Sequence, residues 1–231
     1  MTDRLVLFDI DGTLTRTRNG FMPFNEAVSR VFGVAADIRS VVPDGNTDPL
    51  IVLEIFRKAG LEVETTPEKW ASFARELAAS YAEALSRGAV SVRALPGARE
   101  LLAALAAEPA VGLGVVTGNL EAPAAIKLEA AGLRSYIACG AYASDSRYRE
   151  ELPPIARRRY ERLAGRSIPA ERCIIVGDTP KDLDCARKNA MRCLLVGTGR
   201  YPVEELRGYG PDACLPDLSD TEAVLSVLAK L

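Results

Sequence analysis

The chain has 231 residues, 48% hydrophobic and 26% charged, with 29 Lys+Arg against 31 Asp+Glu for a net charge of −2. That balance fits one large or two small globular domains, excludes disordered and fibrous chains, and lacks the basic excess of a protein built to neutralise nucleic-acid phosphates. The complete absence of His removes Ser-His-Asp triads, Cys-His dyads, His-ligated zinc and imidazole general bases together, so any chemistry must run on carboxylates, amines, hydroxyls or a metal.

Five cysteines (Cys139, Cys173, Cys185, Cys193 and Cys214) are scattered among apolar neighbours without CxxC spacing, the pattern of reduced core thiols in a cytoplasmic protein. No apolar run approaches the length of a membrane span, and Thr2-Asp3-Arg4 leads into a strand and not a signal sequence, so the expectation is a soluble, unprocessed protein without nucleic-acid or membrane partners.

Along the chain, short apolar runs predict strands at Leu5 to Phe8, Val111 to Thr117, Tyr136 to Cys139, Cys173 to Val176 and Cys193 to Val196. Helices are predicted between and after them at Ala98 to Ala107, Ala122 to Ala131, Ile155 to Leu163 and Pro180 to Asn189, and a last one opens with Ser219 and Glu222 in capping-box spacing. Such alternation predicts an α/β fold, a doubly wound parallel sheet with crossover helices. The stretch from Arg16 to Ala94 is too long for a crossover and shows helical patterns without a convincing strand. In it Trp70, Phe73, Ala74, Leu77, Ala78, Tyr81 and Leu85 form one face of a helix capped by Thr66 with Pro67 at its first position, and a second helix opens at Asp48-Pro49 and turns Leu50, Leu53, Ile55 and Phe56 inward. The expected division is a core of residues 1–15 and 95–231 carrying a helical cap domain of residues 16–94.

Three strand ends carry chemistry. Asp9 and Asp11, two apart on an extended segment, point to the same side, and Gly12 after them lets the chain turn over whatever lies between the two carboxylates; a divalent cation or a shared proton would relieve their repulsion. Thr117-Gly118-Asn119 offers a hydroxyl and backbone N–H groups to a phosphate, although a plain strand-to-helix turn explains it equally well. Asp178 and Asp182 flank Thr179-Pro180 at a helix start, where the macrodipole accounts for Asp182 but not for Asp178. Together Asp9, Asp11, Asp178 and Asp182 form a hard, all-oxygen set that selects Mg²⁺ over zinc or copper.

In this order and spacing Asp9-Ile-Asp11-Gly12-Thr13, Thr117-Gly118-Asn119 and Gly177-Asp178-Thr179-x-x-Asp182 resemble the haloacid-dehalogenase-like hydrolase superfamily, most closely its phosphoglycolate phosphatase-like branch, over nearly the whole chain. The resemblance implies a Rossmann-like core with a mobile cap, Asp9 as the nucleophile of an aspartyl-phosphate route, and Asp11 as general acid/base. It further implies Thr117 on the phosphoryl oxygens, with Gly12, Thr13, Gly118 and Asn119 around the phosphate, and Mg²⁺ held by Asp9, the Asp11 carbonyl and Asp178, with Asp182 as ligand or supporting partner. The family's Lys after the third strand is missing from Asp145-Ser146-Arg147-Tyr148-Arg149; Arg149 takes that place by its distance from the next helix, and Lys127 competes from another element. Asn46 and Thr47 resemble the cap loop that meets substrate, although Asp48-Pro49 is also an ordinary helix start, and Arg16 and Arg18 in the first linker could steer an anion or simply be solvated.

The implied function is Mg²⁺-dependent hydrolysis of a small soluble phosphomonoester, phosphoglycolate-like or a sugar phosphate, by a monomer or homodimer. A phosphomutase of the β-phosphoglucomutase type is the alternative, and a phospho-accepting receiver module a more distant one, opposed by the second acid two residues after Asp9 and by the helical insert.

Overall fold

The computed structural model describes residues 4–231. Six parallel strands form the central sheet: β1 (Arg4–Phe8), then, after the ribbon strands β2 (Thr15–Arg18) and β3 (Ser91–Ala94), β4 (Val111–Val116), β5 (Cys139–Ala141), β6 (Cys173–Gly177), β7 (Arg192–Val196) and β8 (Ala213–Leu215), in the order β5-β4-β1-β6-β7-β8. The helices are α1 (Phe21–Phe32), α2 (Asp48–Lys58), α3 (Pro67–Ser86), α4 (Ala98–Ala106), α5 (Glu121–Ala130), α6 (Leu152–Ala164), α7 (Pro180–Lys188), α8 (Val203–Gly208) and α9 (Thr221–Lys230).

Alternation along each strand explains the layering. Val6, Phe8, Leu113, Val115, Ile174 and Val176 join one apolar cluster with α4, α5 and α9, whereas Leu5, Leu7, Cys173, Ile175, Cys193 and Leu195 join a second with α6, α7 and α8. The sheet is therefore buried on both faces, the doubly wound arrangement predicted. All five cysteines are free; Cys173, Cys185 and Cys193 are buried and the other two partly so. Among the described residues no helix is long and apolar enough to cross a membrane.

The chain runs outward from β1 through β4 to β5 and then returns to β6 on the other side of β1. This reversal leaves a crevice at the carboxyl ends of β1, β4 and β6, the place where open α/β sheets receive ligands.

Several sequence expectations are corrected. The insert contains strand after all: β2 and β3 pair antiparallel from Thr15↔Ala94 to Arg18↔Ser91 at its two ends. Thr15-Arg16-Thr17-Arg18 alternates hydroxyl with charge and shows no apolar face, which is why hydrophobic patterning misses it. A third helix, α1, buries Phe24, Ala27, Val28 and Phe32 and packs on α3 through Phe24–Phe73 and Phe32–Trp70 edge contacts. In α2 the buried residues are Asp48, Pro49, Ile51, Val52, Ile55 and Phe56, while Leu50 and Leu53 are only half-buried. The strand expected at Tyr136 to Cys139 begins only at Cys139, because Arg134–Tyr136 forms a 3-10 turn. Strand β8 was not foreseen. The last helix is capped by Asp220, whose carboxylate accepts from Ala223 N at 3.0 Å, and not by Ser219, which turns to Asp217. Thr66 does cap α3, accepting from Lys69 N.

Candidate active site

Asp9 continues the β1 ladder, donating its N–H to Val176 O at 2.9 Å. The chain then folds into a closed loop, with Gly12 N donating to Thr15 O and both Leu14 N and Thr15 N donating to Ile10 O. Gly12 sits at φ +85°, and a Cβ there would lie 2.4 Å from Asp178 Oδ2, so the position needs glycine both for its backbone conformation and for its close approach to the carboxylate after β6.

Asp9, Asp178 and Asp182 are buried, and one carboxylate oxygen from each lies within 4.8 Å of the others. Arg149 lies among them: its Nη2 is 3.1 Å from Asp9 Oδ1 and 2.5 Å from Asp182 Oδ1. Asp182 Oδ2 accepts from Thr179 N at 3.0 Å and Thr179 Oγ1 at 2.7 Å, so both of its oxygens are engaged. Asp178 Oδ1 accepts from Thr13 Oγ1 at 3.0 Å. Burial pushes the Asp9 carboxyl up, against the pull of Arg149 and aided by Asp182 and Asp11. Burial also raises Asp178, further helped by Asp9 and Asp182. The Arg149 guanidinium, despite its burial, is held charged by Asp182 and Asp9.

A second cluster surrounds Asp11, whose side chain is 40% exposed. Lys127 Nζ donates to Asp11 Oδ2 at 2.6 Å and to Asn119 Oδ1 at 2.7 Å; Asn119 Nδ2 donates to Asp11 Oδ2 and Thr117 Oγ1, both at 2.8 Å; Thr17 Oγ1 donates to Asp11 Oδ1 at 3.3 Å. Burial alone would raise Asp11, but the Lys127 ammonium and these donors outweigh it and hold the carboxyl below its ordinary value. Lys127, from α5, also lies 5.2 Å from the centroid of the Tyr81 ring of α3.

The competing cations of the sequence are thus both present, at different acids: Arg149 at Asp9 and Asp182, Lys127 at Asp11. The adjacent acids are engaged elsewhere: Glu150 pairs with Lys188 and Glu151 accepts from Ser146.

The insert meets this site through residues 45–48. Gly118 approaches so closely that a Cβ would lie 1.9 Å from Asn46 O, and Asp48 N donates to Gly118 O at 2.7 Å. Asp48 is the first residue of α2, with Thr47 in the cap position, and its Oδ2 accepts from Leu120 N across the interface at 2.8 Å. Burial pushes the Asp48 carboxyl up to about 6, opposed by Lys127. Thr47 is fully buried and donates to Arg147 O at 2.7 Å, outside the cavity lining. Asn46 faces the cavity and accepts from Lys181 Nζ. Thr13 is also outside the lining, while Asp9, Asp11, Gly12, Thr117, Gly118, Asn119, Lys127, Arg149 and Asp178 all border one cavity of about 640 Å³. Arg16 borders it with Nη2 bonded to Thr198 O; Arg18 does not.

Sequence reasoning passed over Thr17, which looked like linker, and Tyr81, which reads as one more member of an apolar stripe. It also passed over Phe21 and Arg39, which border the same cavity from the insert. Only the tertiary arrangement distinguishes these from ordinary surface and core positions.

Comparison with known proteins gives the family and the fold. The chain is 27% identical over 230 residues to "Probable phosphatase IndB" of Dickeya dadantii (strain 3937), covering 98% of this chain and 95% of that protein. In fold it is similar to a hydrolase from Pseudomonas syringae (TM-score 0.68, 22% identity, 97% of this chain and 98% of that one). It is likewise similar to a "predicted phosphoglycolate phosphatase" from Haemophilus somnus 129pt (TM-score 0.67, 20% identity, 97% and 99%). The family model for haloacid dehalogenase-like hydrolases matches residues 4–189, a span that contains every acid and both cations of the site, and the chain belongs to that hydrolase family.

Proposed function

We propose that the protein is a Mg²⁺-dependent phosphatase that hydrolyses a soluble phosphomonoester through a phospho-Asp9 intermediate, with the 16–94 segment acting as a cap over the crevice. The observation that carries the reading is Asp9: a buried carboxylate at the β1 terminus, 3.1 Å from Arg149 Nη2, bordering a cavity it shares with Asp11, Thr117 and Asp178.

The residues fit a hard divalent cation. Burial, with neighbouring carboxylates adding to it, pushes the titration of Asp9 and Asp178 up; among the described residues no cation pairs directly with Asp178, and every nearby donor is oxygen. Asp9, Asp178 and the Asp11 carbonyl would hold the ion; Asp182, with both oxygens engaged by Arg149 and Thr179, fits a supporting place behind them. When bound, Mg²⁺ supplies positive charge that offsets repulsion between an anionic nucleophile and a phosphate dianion.

In the first step an Asp9 oxygen attacks phosphorus, the ester P–O bond breaks, and its electron pair leaves on the alcohol oxygen, which takes a proton from Asp11. Thr117 Oγ1 already accepts from Asn119, which leaves its own proton to donate to a phosphoryl oxygen. In the second step Asp11 takes a proton from water as its oxygen attacks phosphorus, and the Asp9–phosphorus bond breaks to return the carboxylate and inorganic phosphate. The insert, docked through residues 45–48, limits bulk water.

The test is phosphate release from a panel of phosphomonoesters with Mg²⁺ and with a chelator. Release that needs Mg²⁺ and disappears in Asp9→Asn is the expected result; turnover retained by Asp9→Asn would refute the nucleophile. Stable labelling by a sugar bisphosphate without phosphate release would favour the mutase.

A further inference from the structure

Beyond the reacting end, the insert builds a second wall of the same cavity that the hydrolytic chemistry does not use. Phe21, Phe24, Ile38, Val41, Ile51 and Leu77 border it. The wall is held in place by specific contacts. Asn25 of α1 accepts from Ile38 N at 2.9 Å and donates to Asp37 at 3.4 Å. Asp37 in turn grips Arg39 through Nε and Nη2, both at 2.9 Å. The Arg39 guanidinium then lies 4.4 Å from the centroid of the Phe21 ring, a cation over an aromatic face.

A cavity of about 640 Å³ belongs with pockets of about 300–1,000 Å³ that enclose drug-sized ligands. A two- or three-carbon phosphate ester would occupy the acid end alone and leave water against the apolar wall, an unfavourable arrangement that a ligand with its own apolar surface removes. We infer that this cavity selects phosphomonoesters whose alcohol part is ring-sized and apolar-faced, with Phe21 and Ile38 as specificity-determining residues. This rests on the phosphatase reading and narrows it: the alcohol lies against the insert wall while the phosphoryl group meets Asp9. Phosphoglycolate-sized esters become poor substrates.

The experiment compares kcat/KM of the Mg²⁺-loaded enzyme for phenyl phosphate, a nucleoside monophosphate, phosphoglycolate and glycerol phosphate. At least one ring ester is expected to exceed both small esters by about ten-fold or more, and whichever ring ester leads tells an aryl body from a base carried on a sugar. Phe21→Ala and Ile38→Ala are each expected to lower the ring-to-glycerol selectivity about five-fold or more, through KM and not kcat. Arg39→Ala, at an exposed residue, replaces any variant that fails to fold. Small esters turned over as well as ring esters, or selectivity unmoved by the variants, would overturn the inference while leaving the phosphatase reading intact.

Calorimetric titration of the same esters into Asp9→Asn separates the two claims. If the wild type hydrolyses nothing but ring phosphates bind Asp9→Asn about ten-fold tighter than glycerol phosphate, the reaction reading fails and the cavity inference stands. Equal binding overturns the inference.

Discussion

Arg149 meets both of its acids through the single atom Nη2, and its buried Nε has no partner among the described residues. A guanidinium is therefore used here as a point charge, without the bidentate geometry that usually favours Arg over Lys. Arg149→Lys should consequently keep activity within about ten-fold and lose no stability, since it removes an unsatisfied buried N–H that costs about 1–3 kcal/mol. Arg149→Ala should cost about 3–5 kcal/mol, because it strands buried Asp9 and Asp182 charges. Urea melts beside kcat for the three proteins decide it, and equal damage from Lys and Ala would show that guanidinium geometry matters. Lys127 differs, because it governs a titration. Its ammonium offsets the effect of burial on Asp11, so Lys127→Ala should move the Asp11 carboxyl upward and carry the acidic limb of the kcat profile to higher pH; an unmoved limb would exclude Asp11 as the base. Asp9 and Asp178 were legible because each directly follows an apolar strand. The two cations looked like rivals in sequence because α5 and the Arg149 turn lie far apart in the chain and converge only through the strand order.

At the scale of elements, the contact between the insert and the core is made by backbone as much as by side chains. Gly118, at the end of β4, leaves room for Asn46 O, and the 45–48 segment then lays down bonds from Asp48 N to Gly118 O, from Thr47 to Arg147 O and from Leu120 N to Asp48. A methyl group at Gly118 would sit 1.9 Å from Asn46 O and push the loop away. Gly118→Ala should lower kcat/KM by about 10²-fold, the scale of a misplacement near 1 Å, with thermal melting of the sheet little changed because Gly118 lies outside both apolar clusters. Unaltered kinetics would mean that the docked loop has no part in turnover. This interface was opaque in sequence: Thr117-Gly118-Asn119 reads as well as a simple turn, and Asp48-Pro49 as a simple helix start. By contrast the four central strands β1, β4, β6 and β7 were legible, because they are apolar on both faces, whereas the short, half-buried β8 at the sheet edge was not; α3 was legible from its stripe. Strand β2 and helix α1 were not, the first because a two-stranded ribbon at the ends of the insert needs no apolar face, the second because its contacts lie with α3 and not with the core pattern.

Over the whole molecule, the carboxylates gathered where the strand order reverses make folding itself respond to pH and, on the proposed reading, to a divalent cation. Without a cation, burial and mutual repulsion raise Asp9 and Asp178 above the ordinary carboxylate value near 3.8. Above that value the folded chain binds more protons than the unfolded one, so stability is greatest in acid and falls as pH rises through the elevated folded values. A divalent cation takes the place of those protons and removes the slope. The increment in Tm that Mg²⁺ gives over chelator should thus be larger at about pH 8 than at about pH 5, read by scanning calorimetry in matched buffers. Asp178→Asn should behave in the opposite way, melting higher than the wild type in chelator at about pH 8 while losing most of its response to Mg²⁺. A Mg²⁺ increment that is equal at both pH values, or that survives in Asp178→Asn, would place the ion away from the Asp9–Asp178 pair. The same outcome would separate the cation from the proton balance that the buried acids impose on the fold, since the repulsion between them would then have to be relieved by Arg149 alone.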